Sequence, residues 1–276
     1  MIAYRLLTSR DFVALYDCFL TAFSDYEVDM RMSLEEFWER HVRDGISLEL
    51  SAAAFDGERM IGFCMNGLGW WEGKTTAYDG GTAIIPGYRG RGIAKELFAF
   101  VELKLKDANV TQYLLEVLTS NVPAATLYRK LGFVETRRLA VFRSFTRSSR
   151  LHRYTIRDAE VPDWRLFQSF WDGYPSWQNS IAAVKRVAGR NIVKAYVDDE
   201  CVGYGVVFTP TMNLMQLAVS PRHRRKGIGS ALLASLETGE PLKINNIDED
   251  LKGTLAFYQA NGYKQVLGQF EMIKTL

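Results

Sequence analysis

Apolar residues Ile93, Leu97, Phe100, Val101 and Leu105 fall on one face of a 3.6-residue period, which predicts a helix. The runs on either side of it, "GGTAIIP" and "YLLEVL", read as strands. A shorter helix follows, with Asn121 as a good N-cap, Pro123 suited to the first turn and Gly132 able to take the left-handed position past its end. Ala124, Leu127, Tyr128 and Leu131 form its apolar face. Earlier in the chain, "FVALYDCFLTAF" is an aromatic-rich helix, and "AAAFDGERMIGF" a strand, a polar turn and another strand. "RLAVFRSF" reads as a closing strand. The same order returns in "WRLFQSFW", "VKAYVDDECVGYG", "AFYQANGY" and "FEMIKTL".

Two landmarks measure this return. Arg89 and Arg224 lie 135 positions apart, and Tyr128 and Tyr258 lie 130 apart. Matching segments in matching order indicate a duplicated domain. The fold class expected is α/β, twice over, each half a mixed central β-sheet flanked by helices. Apolar periodicity lapses in "SFTRSSRLHR", Ser144 to Arg153, so the boundary is placed near Ser148, giving domains 1–147 and 148–276. A chain of 276 residues is comfortable for two such domains.

Composition narrows the class. With 47% hydrophobic residues, 24% charged and a net charge of +2, the chain reads as globular, and is not built to hold nucleic acid or a membrane surface. The one basic cluster, "RHRRK", is short and lies inside a glycine loop. No apolar run approaches the roughly 18 to 20 residues needed to span a bilayer, and the first twelve residues carry charges where a signal peptide is apolar, so the expected compartment is the cytosol. Cys18, Cys64 and Cys201 stand alone in apolar surroundings and read as small buried hydrophobes. His41, His152 and His223 are scattered, and no metal site is expected.

The candidate chemistry lies in "YRGRGIA", Tyr88 to Ala94, and "HRRKGIG", His223 to Gly229. A glycine turn between a strand and a helix leaves backbone N–H groups aimed at one point, where the helix dipole adds positive potential. That is an anion site, with phosphate the usual anion. Gly90 and Gly92 permit close backbone approach, and Arg89 and Arg91 bring charge to the rim; taken alone, "RGRG" is equally a tight turn with solvated arginines. Neither half has GxxxxGK[ST] or the strand context and acidic residue of a dinucleotide site.

The residues resemble the GNAT acetyltransferase superfamily, across nearly the whole chain as a tandem pair. Its pyrophosphate loop, [QR]-x-x-G-x-[GA], is matched by Arg89, Gly92 and Ala94 and again by Arg224, Gly227 and Gly229. Its second signature is matched by "EVLTSNVPAATLYRKLGF", Glu116 to Phe133. The resemblance implies a GNAT fold in each half and acetyl-CoA as acyl donor, with an amine as acceptor. Thr82, Ala83 and Ile84 would lend strand backbone to the pantetheine arm and thioester carbonyl. Residues Arg89, Gly90, Arg91, Gly92, Ile93 and Ala94 would cradle the pyrophosphate.

Tyr128 would be the general acid for the departing thiolate, although a tyrosine on that face is also simply core with a wet hydroxyl. Asn121 is a CoA contact, a helix cap or both. An ammonium must lose a proton before it attacks; Glu116, twelve residues before Tyr128, is the candidate base and Asp79 its rival. The corresponding positions of the second half hold Asn246 in place of Glu116 and Leu251 in place of Asn121. The first half is therefore expected to be catalytic, and the second to brace it or wall the substrate cleft. "SDYEVDMRMSLEEFWER", with Asp25, Glu27, Asp29, Glu35, Glu36 and Glu39, together with Trp70 and Trp71, suggests a cationic acceptor, or else a solvated helix face. The competing class is a non-catalytic CoA-binding regulatory or scaffold protein.

Overall fold

The computed structural model describes residues 1–144, 154–237 and 241–276; the boundary placed at Ser148 lies outside the described residues. The chain forms two compact units. One comprises Met1–Val117, Asn121–Thr136 and Glu271–Leu276, the other Leu118–Ser120 and Arg137–Phe270.

In the first unit β1 (Ile2–Leu6) leads to α1 (Phe12–Ala22), α2 (Leu34–Asp44), and the meander β2 (Ile46–Asp56), β3 (Arg59–Trp71) and β4 (Lys74–Ile84). Then come α3 (Ile93–Asp107), β5 (Gln112–Leu118), α4 (Val122–Lys130) and β6 (Val134–Arg143). Strands β1 to β4 pair antiparallel in chain order, and β5 joins β4 in parallel. Parallel neighbours need a long crossover, which α3 supplies.

The second unit repeats the plan with β7 (Thr155–Asp158), α5 (Trp164–Gln168), α6 (Ile181–Arg186), β8 (Arg190–Val197), β9 (Glu200–Phe208), β10 (Asn213–Val219), α7 (Ile228–Leu236), β11 (Lys243–Asp248), α8 (Lys252–Ala260) and β12 (Lys264–Thr275). Strands β7 to β10 again pair antiparallel in chain order, and the fifth strand, β11, joins the fourth, β10, in parallel.

Local sequence accounts for the helix ends near the site. Ser33 and Glu36 form a capping box at the start of α2, and Gly45 closes it at φ +71°. Phe19, Phe37 and Phe63 are fully buried where α1 and α2 cover β3, each contributing roughly 1.5–3 kcal/mol by leaving water. The inward face of α3 differs by one residue from the periodic reading: Phe98 is buried, with its ring 5.6 Å from that of Tyr128, while Phe100 is half-buried. On α4, Ala125 is buried in place of Ala124.

The closing strands do not stay at home. Residues 134–136 of β6 belong to the first unit and the remainder to the second, where Phe142, Ala140 and Leu139 pair with Ile244, Ile247 and Asp248. In return, the chain end joins the first unit, where the Leu276 N–H donates to the Thr111 carbonyl and Lys274 pairs with Glu102 at 2.5 Å. The reading that each final strand closes its own half is corrected accordingly. Duplicated halves present equivalent open edges, so either copy's strand satisfies either edge.

Both units carry a β-bulge at the same place. On β4, Asp79 faces Asn66 and Gly81 faces Met65, which leaves Gly80 as the extra residue. On β10, Leu214 faces Val207 and Gln216 faces Val206, which leaves Met215. Pairing with the parallel neighbour ends one residue earlier in each case, at Asp79 with Leu115 and at Leu214 with Ile244. Beyond that point the two strands part.

Candidate active site

The gap after Asp79 is where the candidate residues of the first unit gather. Thr82, Ala83 and Ile84 are still held by Cys64, Phe63 and Gly62 of β3, but lie beyond the last β5 partner. Apart from the Ile84 carbonyl, which accepts from Arg89, their other backbone edge could receive an extended ligand, as a sheet edge receives an added strand.

The glycine loop enters α3 through Gly92, the N-cap, at φ +80°, with Gly90 at φ +74°. Only glycine takes such angles without strain. The Arg89 side chain, assigned to the rim from sequence, turns inward instead. Its Nε donates to the Ile84 carbonyl at 3.0 Å, Nη2 to the Ala22 carbonyl at 2.7 Å, and both terminal nitrogens reach Asp25 at 2.7 and 2.8 Å. Arg89 therefore ties the loop to the end of α1, with its charge already met. Arg91 donates to the Gly87 carbonyl and lies over the Tyr88 ring. Ile93 is buried, so what the loop could offer a ligand is backbone.

The second unit reproduces this construction. Arg224 donates to the Val219 and Phe170 carbonyls at 2.9 and 2.8 Å and to Asp172 at 2.5 Å. Gly227 is the N-cap of α7 at φ +90°, and Arg225, the counterpart of Gly90, holds a left-handed φ of +61°. A Cβ on Gly229 would meet the Phe257 ring at 3.0 Å, which explains a glycine there.

The chemistry differs between the units. In the first, Asp79 is buried; the Gly81 N–H and Thr82 hydroxyl donate to it at 2.9–3.0 Å. Burial raises its carboxyl to about 7 against those hydrogen bonds and the nearby charge of Arg40. Tyr128 is buried on α4; its hydroxyl is pushed well above the ordinary phenol value by burial, then by Asp79, Cys64 and Tyr26. Beneath lies a polar patch in which Tyr113 donates to Asn66 at 2.5 Å, with the Cys64 sulfur 3.2 Å from the Tyr113 hydroxyl. Burial raises the Cys64 thiol to about 12, so it is no nucleophile.

Glu116, three residues on from Tyr113 along β5, extends from the opposite face of the strand. It accepts the Tyr78 hydroxyl at 3.0 Å, and its charge is felt by Arg40 and Arg43 of α2. Asn121 caps α4 by accepting the Ala124 N–H at 3.2 Å and is also hydrogen-bonded to Tyr26. Leu214 replaces Asp79 in the second unit and Asn246 replaces Glu116. Tyr258 stays, buried, with its hydroxyl raised by burial. Around it opens a cavity of about 740 Å³ lined by Leu214, Met215, Gly227, Asn246 and Leu251.

The acidic stretch before α2 is largely committed. Asp25 pairs with Arg89, Asp29 with Arg31, and Glu36 caps α2. Trp38 and Trp70 are exposed, whereas Trp71 is buried. Sequence reasoning passed over Arg40, and took Tyr26 only as an aromatic of the acceptor stretch. Arg40 stands three residues after Phe37 and four before Asp44, a charge on a helix's buried face, and that spacing was the available signal.

A strand pair that splays at a bulge, over a glycine loop opening a helix, defines an acetyltransferase fold. Residues 12–133 match the acetyltransferase (GNAT) family and residues 188–265 an acetyltransferase (GNAT) domain. The chain belongs to the GNAT acetyltransferases, as a tandem pair. It is 31% identical over 91 residues to the N-alpha-acetyltransferase MAK3 of Arabidopsis thaliana, a match taking in 33% of this chain and 48% of that protein. The fold is similar to a GCN5-related N-acetyltransferase from Sphaerobacter thermophilus (TM-score 0.76, 14% identity, 99% of this chain and 95% of that one). It is likewise similar to a tandem GNAT protein from the clavulanic acid biosynthesis pathway (TM-score 0.75, 16% identity, 100% and 98%). GNAT enzymes use acetyl-CoA. Among the described residues no group of three or more His, Cys, Asp or Glu could hold a metal, and no helix is long and apolar enough to cross a membrane.

Proposed function

We propose that the protein transfers an acetyl group from acetyl-CoA to an amine, and that the chemistry belongs to the first unit. The observation that carries this reading is that the β4–β5 pairing ends at Asp79 and Leu115, with Tyr128 near Asp79 and Glu116 next along β5, where the second unit has leucine and asparagine at the two carboxylate positions. Donor binding falls to the strand edge at Thr82–Ile84 and to the loop Arg89–Ala94. Backbone N–H groups meet the pyrophosphate, and Arg89 and Asn121 position the loop and α4.

Glu116 takes the proton that the ammonium must lose. The amine nitrogen bonds to the acyl carbon and sheds its second proton to water, the carbon–sulfur bond breaks, and the Tyr128 hydroxyl gives its proton to the sulfur and recovers one from solvent. A raised phenol in a dry setting is a weak acid, but a thiolate of pKa about 8.5 asks little of it. Thiol release from acetyl-CoA in the presence of an amine panel tests the proposal: steady release dependent on both substrates, lost in Glu116→Gln, is the expected result. Release no faster than hydrolysis would sink it.

A second reading is favoured by one observation, the 740 Å³ cavity in the unit that lacks both carboxylates. There the second unit, retaining Arg224, Gly227 and Gly229, binds acyl-CoA without turning it over. Calorimetry showing two equivalents of acetyl-CoA per chain, one of them lost in Gly227→Ala, supports it.

A further inference from the structure

We propose that Arg40 recognises a carboxylate on the acceptor, and hence that the acceptor is an amino acid or a similar zwitterion; this rests on the acetyltransferase reading. The arginines around the site differ in how fully they are used. A guanidinium carries five N–H donors. Arg43 spends its fork on Asp44 at 2.7 and 3.1 Å, and Arg89 and Arg224 each meet two carbonyls and a carboxylate. Arg40 makes one hydrogen bond, from Nη2 to the Gly80 carbonyl at 2.9 Å. Its Nε is buried without a hydrogen-bond partner, and Asp44 is 3.8 Å away. Leaving a mostly buried guanidinium so poorly met is costly unless a ligand completes it. The side chain is 22% exposed; Nε is buried, so the donors it offers a ligand are those of the terminal nitrogens.

Position and charge specify the ligand. Gly80 is the bulge residue at which β4 leaves β5, which fixes Arg40 at the mouth of the acyl site. Arg40 and Arg43 are balanced by Asp44 and Glu116, a neutral quartet. A zwitterion preserves that balance, its carboxylate on Arg40 and its ammonium toward Glu116, the proposed base. A polyamine would place a surplus of positive charge beside two guanidiniums. Of the six carboxylates that argued for a cationic acceptor, Asp25, Asp29 and Glu36 are instead bound to Arg89, to Arg31 and to the start of α2.

The test compares alanine, methionine and phenylalanine with their amides, their decarboxylated amines and the dipeptide Ala-Ala, by thiol release. In wild type, kcat/KM for the best amino acid is expected to exceed that of its amide and its amine by about 100-fold, the scale seen when a buried polar group loses its partner. Arg40→Gln should reduce that ratio to about threefold, mainly through KM, with Arg40→Lys between. Equal use of amide or amine in wild type, or a preference undiminished in Arg40→Gln, overturns the proposal; use of Ala-Ala, itself a zwitterion, that falls in Arg40→Gln supports it. If no acceptor releases thiol, the acetyltransferase reading fails instead, and binding decides the Arg40 site. A melting-temperature rise with amino acid but not amide, absent in Arg40→Gln and Arg40→Lys, supports it; no rise overturns it.

Discussion

Replacing Asp79 by asparagine separates a carboxyl that the fold keeps protonated from one that it welcomes as an anion. Burial raises this carboxyl from 3.8 to about 7, a difference worth about 4 kcal/mol between its two protonation states. At 6% exposure, solvent does little to screen that cost. Because the folded value lies above the unfolded one, the native state holds the proton more tightly. The associated stability is full below about pH 4 and lost as pH rises through 7. Asparagine resembles the protonated form and still accepts from the Gly81 N–H and the Thr82 hydroxyl, but does not titrate. Urea denaturation from pH 5 to 8.5 should show Asp79→Asn gaining on wild type by about 2–3 kcal/mol across that range, most of it before pH 7.5. A difference between the two proteins that stays constant with pH would refute the reasoning, since it would mean that the carboxyl ionises as easily inside as outside.

Glu116→Gln should lower kcat for amine acetylation by about 100-fold, and Tyr128→Phe by about 10- to 100-fold, both with acetyl-CoA affinity within about threefold of wild type by calorimetry. Gly92→Ala has room for its methyl but must adopt φ +80°, so it should lose about 1–2 kcal/mol of stability in denaturant and bind acetyl-CoA about tenfold more weakly. His41 donates through Nδ1 to the Phe37 carbonyl, and burial lowers it to about 4, so native stability should fall by about 3 kcal/mol as pH drops from 6.5 to 4. His41→Phe, between the Phe12 and Phe37 rings, should remove that part of the acid limb in denaturation curves.

What could be read in advance was local. Helical and strand periodicities, the capping of α4 by Asn121 and the two glycine loops depend on neighbours within a few positions, and each element stands where its pattern put it, with the buried faces of α3 and α4 off by one residue at Phe98 and Ala125. The bulges at Gly80 and Met215 and the exchange of β6 and β12 depend on which strand meets which, and a single strand's alternation carries no such information. The same limit governed the charges: Ser33 and Glu36 are a legible capping box, but the bond from Arg89 to Asp25 spans 64 positions.

The duplication shows what this implies for function. Arg89 and Arg224 each donate Nε to the carbonyl five residues back and Nη2 to a carbonyl before the next acidic partner, so the loop has the same internal frame in both units. A frame that the fold itself requires would persist with or without a ligand, and the motif alone is therefore poor evidence that both units hold acetyl-CoA. The residues free of that frame are the ones that diverge, with Asp79 and Glu116 in one unit and Leu214 and Asn246 in the other. It is this divergence, together with the cavity beside Leu214 and Asn246, that argues for chemistry in the first unit and retention in the second.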